Sequence, residues 1–296
     1  MSTPATTMPA SAQAIREKSS YLLKASQADE NERLNIQHRL LIHMMEQKMV
    51  HPDTPKKLER VADVATGNGN WLFDFKKSRA KDSESNTDTK YTGFDITPDL
   101  FPKPDSPNVA DMDFSVQDIF KPFPEDHVGT YDLVHVRNLV LAVKDEDLKT
   151  ALQNISSLLK PGGYLQWEEY DFADQLAACP PSIMASTWEV VLNWIAGRGY
   201  SLSFSKNITA GISSPDSGLD LVEAKQFTTK GLPFTEDHRL TLLHAFYTGV
   251  PRLCWKAKGK SDEEAAKVED DCFQEWESGV LLDYYLTRIT ARKPVD

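Results

Sequence analysis

The stretch Val61-Ala-Asp-Val-Ala-Thr-Gly-Asn-Gly-Asn-Trp71 decides how this chain is read. Its first residues form a short apolar run with the length of a buried strand. The run reaches a Gly-Asn-Gly turn, and a helix-like stretch, Trp71-Leu-Phe-Asp-Phe75, follows. Glycines at 67 and 69 let the backbone approach a ligand with no side chain between. The new helix N-terminus leaves N–H groups free to meet carboxylate or hydroxyl groups.

Outward from this loop, strands and helices alternate. Strands are expected at about 60–65, 91–95, 113–117, 131–136 and 164–168, with a helix from Asp145 to Leu159 stopped by Lys160-Pro-Gly-Gly163. That alternation predicts an α/β fold: a doubly wound, mostly parallel sheet with helices on both faces. Before the loop, Ser26 and Asp29 open a helix running to about Val50, with Pro52 and Pro55 ending it. After Asp171 the rhythm changes. Helices are expected at 182–196, 236–248 and 261–278, a Gly/Ser/Pro-rich loop at 198–217, and strands at 218–227 and 282–291. The organisation is a flexible tail at 1–18, an N-terminal helical lid at 19–56 and a ligand-binding domain at 57–296, with 172–217 and 229–280 as helical and loop insertions on the acceptor side.

The chain has 296 residues, 40% of them hydrophobic, and a net charge of −11. This is the composition of a folded domain and argues against a nucleic-acid partner, which needs basic surface. Three separated cysteines, Cys179, Cys254 and Cys272, have no zinc-like spacing. The N-terminus lacks a secretory pattern, and no apolar run approaches the roughly 20 residues of a membrane span. We expect a cytoplasmic protein with no metal and no membrane partner; the oligomeric state is not legible.

A lone Gly-x-Gly after a strand is a weak signal. Leu72 stands where a dinucleotide fingerprint needs its third glycine, so a pyrophosphate cradle is not indicated. Asp95 ends the second strand at the distance that reaches a ribose diol. Asp118, followed by Ile119, ends the third and suits a flat adenine: the carboxylate takes the amine proton and the apolar side chain covers the ring.

Together, Val61–Gly69, Gly93-Phe-Asp95, Gln117-Asp118-Ile119, Tyr131-Asp-Leu-Val134 and Leu158-Leu-Lys-Pro-Gly-Gly163 occur in the order that resembles class I S-adenosylmethionine-dependent methyltransferases. Tyr21-Leu-Leu and Glu32–His38 resemble, more narrowly, fungal natural-product methyltransferases. The resemblance implies a seven-stranded Rossmann-like sheet whose last strand, 282–291, inserts antiparallel beside 218–227. It implies S-adenosyl-L-methionine as cofactor and a small-molecule acceptor. It assigns Gly67, Asn68 and Gly69 to the methionine end, Asp95 with Ile96 to the ribose, Asp118 with Ile119 to the adenine, and Arg137 and Tyr21 to further cofactor contacts. Asp63 orders the loop.

Each of these has an ordinary reading: a tight turn for the glycines, caps or turns for the aspartates, a surface ion pair for Arg137. No catalytic residue is announced. His135 and His38 are candidates for a base, against a packed histidine and a solvated helix face. Glu168, Glu169 and Asp171 form an acidic cluster after the fifth strand that could serve acid–base or metal chemistry. The expected function is methyl transfer to an O, N or S atom of a small molecule. The alternatives are a cofactor-binding regulatory protein of the same fold and an enzyme that uses bound cofactor without methylating.

Overall fold

The computed structural model describes residues 27–82, 88–103, 106, 109, 111–246 and 250–295. Tyr21, the 1–18 tail and the Ser26 cap lie outside the described residues. In chain order the elements are α1 (Gln27–Met44), β1 (Arg60–Val64), α2 (Asn70–Arg79), β2 (Lys90–Asp95), β3 (Met112–Val116), β4 (Tyr131–Arg137), α3 (Leu148–Ser157) and β5 (Leu159–Tyr170). They continue with α4 (Phe172–Ala178), α5 (Ile183–Ala196), α6 (Phe204–Ile212), β6 (Asp220–Thr228), α7 (Glu236–Phe246), α8 (Val250–Ala257), α9 (Asp262–Glu277) and β7 (Tyr285–Arg292).

One seven-stranded sheet runs in the order β3-β2-β1-β4-β5-β7-β6. β1 to β5 pair in parallel, and β7 enters antiparallel between β5 and β6. The strand order reverses between β1 and β4, so the loops after these two strands diverge to opposite sides and leave a crevice at the carboxyl edge. Central strands are buried on both faces: Val61 to Val64 and Tyr131 to Val136 are all buried. β6 is the opposite case, an edge strand with most side chains exposed, among them Asp220 and Lys225.

Three expectations need correction. α1 ends at Met44 rather than near Val50. Glu46 and Gln47 adopt φ of 53° and 63°, and the Gln47 N–H bonds back to the Ile42 carbonyl at 3.0 Å, closing the helix before either proline. The turn frees the Lys48 and Met49 carbonyls to accept Arg288 Nη1 (2.9 Å) and Gln166 Nε2 (2.7 Å). Second, residues 198–217 contain α6, whose Phe204, Ile208 and Ile212 are fully buried at a spacing of four. The surrounding Gly, Ser and Pro concealed that stripe. Third, the Lys160-Pro-Gly-Gly163 stretch is already part of β5 rather than only the stop of the preceding helix.

Candidate active site

β1 leaves the sheet through Ala65, Thr66 and Gly67. The backbone turns left-handed at Ala65 (φ 58°), Gly67 (56°) and Gly69 (77°). The glycines are needed for more than conformation. A Cβ on Gly69 would meet the Phe114 ring at 3.1 Å, and one on Gly67 would meet Leu34 of α1 at 3.3 Å. Asp95 holds the loop from the neighbouring strand, its Oδ2 accepting the Gly67 N–H at 2.8 Å. Burial pushes the Asp95 carboxyl above the usual carboxylate range, while N–H donors from Gly67, Thr97 and Ile96 pull it back. Beside it, Ile96 is 68% exposed, an apolar side chain in solvent at the carboxyl edge.

One strand further out, the Gln117 N–H bonds the Asp95 carbonyl at 2.7 Å, which brings the Asp118–Ile119 turn alongside. Asp118 Oδ1 accepts the Phe120 N–H (2.9 Å) and its other oxygen lies 3.7 Å from Lys121 Nζ. It therefore makes a turn of its own while its side chain stays 29% exposed at the edge. Ile119 is partly buried against the core, and its carbonyl accepts Asn154 Nδ2 at 2.8 Å. The structure thus gathers Gly67, Gly69, Asp95, Ile96, Asp118 and Ile119 along one edge.

Below the loop, strand register decides what the histidine does. Asp63 on β1 pairs with His135 on β4, and His135 with Gln166 on β5. His135 Nδ1 bonds Asp63 Oδ1 at 2.7 Å, Nε2 lies 3.4 Å from Glu168 Oε2, and the ring stacks on Trp71 with centroids 3.8 Å apart. Asp63 Oδ2 also accepts the Thr66 hydroxyl at 2.7 Å. Burial opposes charge on this imidazole, but its hydrogen bond to Asp63 and the Glu168 carboxylate prevail and raise its pKa; His135 in turn holds Glu168 low against burial. His135 is fully buried and faces carboxylates on both sides. Its candidacy as a general base is corrected: it braces the loop from beneath.

His38 is corrected as well. It is buried rather than solvated, and Nε2 pairs with Asp74 of α2 at 3.1 Å. Burial and then Arg137 lower its pKa, so it is neutral. It does not line the cavity described below. The acidic cluster is also structural. Glu169 accepts the Leu139 N–H (2.8 Å) and Trp167 Nε1 (3.2 Å), and burial pushes it up to about 8. Asp171 accepts from the Ser205 and Thr287 hydroxyls and, at 3.0 Å, from Gln226. Among the described residues no group of three His, Cys, Asp or Glu could hold a metal ion, and no helix is long and apolar enough to cross a membrane.

Gly67, Asn68 and Arg137 open into a cavity of about 490 Å³. Its far wall is Tyr170, Phe172, Trp188, Val191, Ile195 and Tyr284, and α1 contributes Arg33, Leu34 and Gln37. Sequence reasoning missed Asn35 on α1, whose Oδ1 accepts both Asn68 Nδ2 (3.0 Å) and Asn70 Nδ2 (2.7 Å). No motif announces it. The middle residue of the glycine turn thus ties the turn to the helix above.

Residues 62–165, from β1 into β5, match the family described as a methyltransferase domain. Among curated proteins it is 35% identical over 188 residues to methyltransferase grgD of a Penicillium species, covering 63% of this chain and 65% of that one. It is 36% identical over 145 residues to the N-methyltransferase tcpN of Claviceps purpurea, covering 47% and 48%. The chain thus spans between about half and two thirds of the length of these relatives. A solved geranyl diphosphate methyltransferase in complex with GPP and sinefungin aligns over 86% of this chain and 80% of its own, with 13% identity and a TM-score of 0.48. The matched segment ends before the cavity's far wall: Tyr170, Phe172, Trp188 and Tyr284 all lie beyond residue 165.

Proposed function

We propose that this chain transfers the methyl group of S-adenosyl-L-methionine to an O, N or S atom of a small-molecule acceptor in natural-product biosynthesis. One observation carries the reading. The Gly67–Gly69 turn, held by Asp95, lies between a polar edge suited to a nucleoside and a mostly apolar cavity. The residues fit that cofactor. Asp95 Oδ1 accepts the Thr97 N–H only at 3.4 Å and has acceptor capacity left beside the exposed Ile96, the Cβ-free turn admits a close ligand, and Arg137 has a buried Nη1 without a protein partner, as a carboxylate would require.

Gly67, Asn68, Gly69 and Arg137 would hold the methionine end, Asp95 with Ile96 the ribose, and Asp118 with Ile119 the adenine. When bound, the cofactor supplies an electrophilic methyl group on a sulfonium, open to in-line attack. The chain's own share is positioning. α1 acts as the lid, with Leu34 and Asn35 closing over the turn, and the wall from Tyr170 to Tyr284 keeps water from the acceptor. Fungal relatives named methyltransferase and N-methyltransferase support the reaction class, and nitrogen is one acceptor atom to test.

The test is incubation of the protein with methyl-labelled cofactor and an extract of fungal metabolites. Label should appear in an organic-soluble small molecule, with release of S-adenosylhomocysteine. Calorimetry showing no affinity for S-adenosylhomocysteine would refute the reading, and binding with no transfer to any metabolite would favour a regulatory role.

A further inference from the structure

We propose that the cavity receives a mostly apolar acceptor of aromatic size whose polar group is uncharged or anionic, and that the Tyr170 hydroxyl orients it. This rests on the methyl-transfer reading and adds the chemical class of the acceptor. Three observations converge on it.

The first is charge. Among the described residues that line the cavity there is no aspartate or glutamate, while Arg33 and Arg137 both reach it. Arg33 is already met by Glu30 through two hydrogen bonds of 2.8 and 2.6 Å. Arg137, whose buried Nη1 has no partner within the protein, is assigned above to the methionine carboxylate, so neither arginine brings a carboxylate side chain of the protein to the acceptor. An ammonium group brought here would lose its water and meet guanidinium rather than carboxylate. A carboxylate, phenolate or neutral hydroxyl or amide would not suffer that loss.

The second is shape and surface. Tyr170 and Phe172 are stacked, with planes 8° apart, and Trp188 meets Phe172 edge-on at 5.5 Å. With Val191 and Ile195 these rings form one continuous apolar wall. A cavity of about 490 Å³ falls within the roughly 300–1,000 Å³ of small-molecule sites, with room for a one- or two-ring compound beside the turn.

The third is the Tyr170 hydroxyl. Tyr170 is only 6% exposed, it lines the cavity, and its hydroxyl makes no hydrogen bond of ordinary geometry, although Gln37 of the same lining lies near it. A buried hydroxyl left unpaired is costly, and a ligand that completes its hydrogen bond recovers that loss. Burial raises its pKa well above the ordinary phenol range, against Gln37, Arg137 and Arg33, so it stays protonated and can donate. Tyr170 is therefore a positioning residue for the acceptor and not the base.

The experiment uses the full chain and a matched ligand series: 2-naphthylethanol, 2-naphthylacetate and 2-naphthylethylammonium. At about pH 7.5 these are neutral, anionic and cationic. Binding is read by calorimetry, with and without saturating S-adenosylhomocysteine. We expect the alcohol and carboxylate to bind at least ten-fold tighter than the ammonium, and Tyr170→Phe to weaken the alcohol about ten-fold. Equal or tighter binding of the ammonium overturns the charge class. Unchanged alcohol affinity in a Tyr170→Phe protein with a normal thermal transition overturns the orienting role. No binding of any of the three overturns both. Should the variant fail to fold, the series on the unmodified chain still decides the charge class. Failure of S-adenosylhomocysteine to bind refutes methyl transfer separately, because the naphthyl series is also read without it.

Discussion

Asp63 and His135 are joined across β1 and β4 by a 2.7 Å hydrogen bond, and the same aspartate fixes the Thr66 hydroxyl at the start of the glycine turn. The turn is thus braced from inside the sheet by a histidine held between two carboxylates. Because the folded pKa of His135 is raised, its stabilisation is fully present below its unfolded value and is lost as pH rises through the folded one. Glu168 is lowered, so its share is present above its unfolded value and is lost as pH falls. We predict that the urea midpoint declines as pH rises above about 6.5, and that the difference between unmodified protein and His135→Gln shrinks over the same range. A pH-independent difference would show that His135 is neutral in the fold. The substitution itself should cost about 3–5 kcal/mol at neutral pH, since it leaves buried carboxylates without their cation.

Gly93 sits in the middle of β2 with no room for a side chain. A Cβ there would lie 2.6 Å from Phe114 Cδ1 and 2.9 Å from Thr66 Cγ2. Gly93→Ala should destabilise the protein by about 1–3 kcal/mol through overpacking. Phe114→Leu in the same chain should recover part of that loss. Additive losses in the double variant, measured by denaturant unfolding, would contradict the steric account.

Asp95→Asn keeps an oxygen for the Gly67 N–H but removes the negative charge. Stability should change by less than about 1 kcal/mol, whereas affinity for S-adenosylhomocysteine should fall about 10- to 100-fold, the worth of a charge-assisted hydrogen bond. Unchanged affinity by calorimetry would remove Asp95 from the cofactor site.

Asn35→Ala frees the amides of Asn68 and Asn70 from α1. We expect a stability loss of about 1 kcal/mol together with faster proteolysis within residues 27–44. Proteolysis at the unmodified rate would mean that the Arg39–Asp237 pair (2.7 Å), which ties α1 to α7, is enough to keep the helix seated.

How much of this was legible follows from the range of each interaction. The alternation of strand and helix from β1 to β5 is written in local hydrophobic period, and the glycine turn in residues that tolerate positive φ, so both could be read without a fold in hand. Asp95 and Asp118 were legible as strand-ending carboxylates because parallel strands bring their carboxyl ends to one edge. The partner of the middle turn residue was not legible: Asn35 and Asn68 are 33 positions apart and meet only because α1 folds over the turn. His135 could be placed on a buried strand, but its charge depends on Asp63 and Glu168, which reach it only through the β1–β4 and β4–β5 pairing.

By itself, then, the sequence determined the sheet's parallel half, the turn and the chemistry offered along its edge, because near-neighbour periodicity and backbone sterics act within a few residues. The tertiary structure alone decided which groups face the cavity. Tyr170, at the end of β5, and Tyr284, just before β7, come together because β7 inserts antiparallel beside β5. Residues more than a hundred positions apart share one wall only once long-range strand pairing and helix packing have placed them.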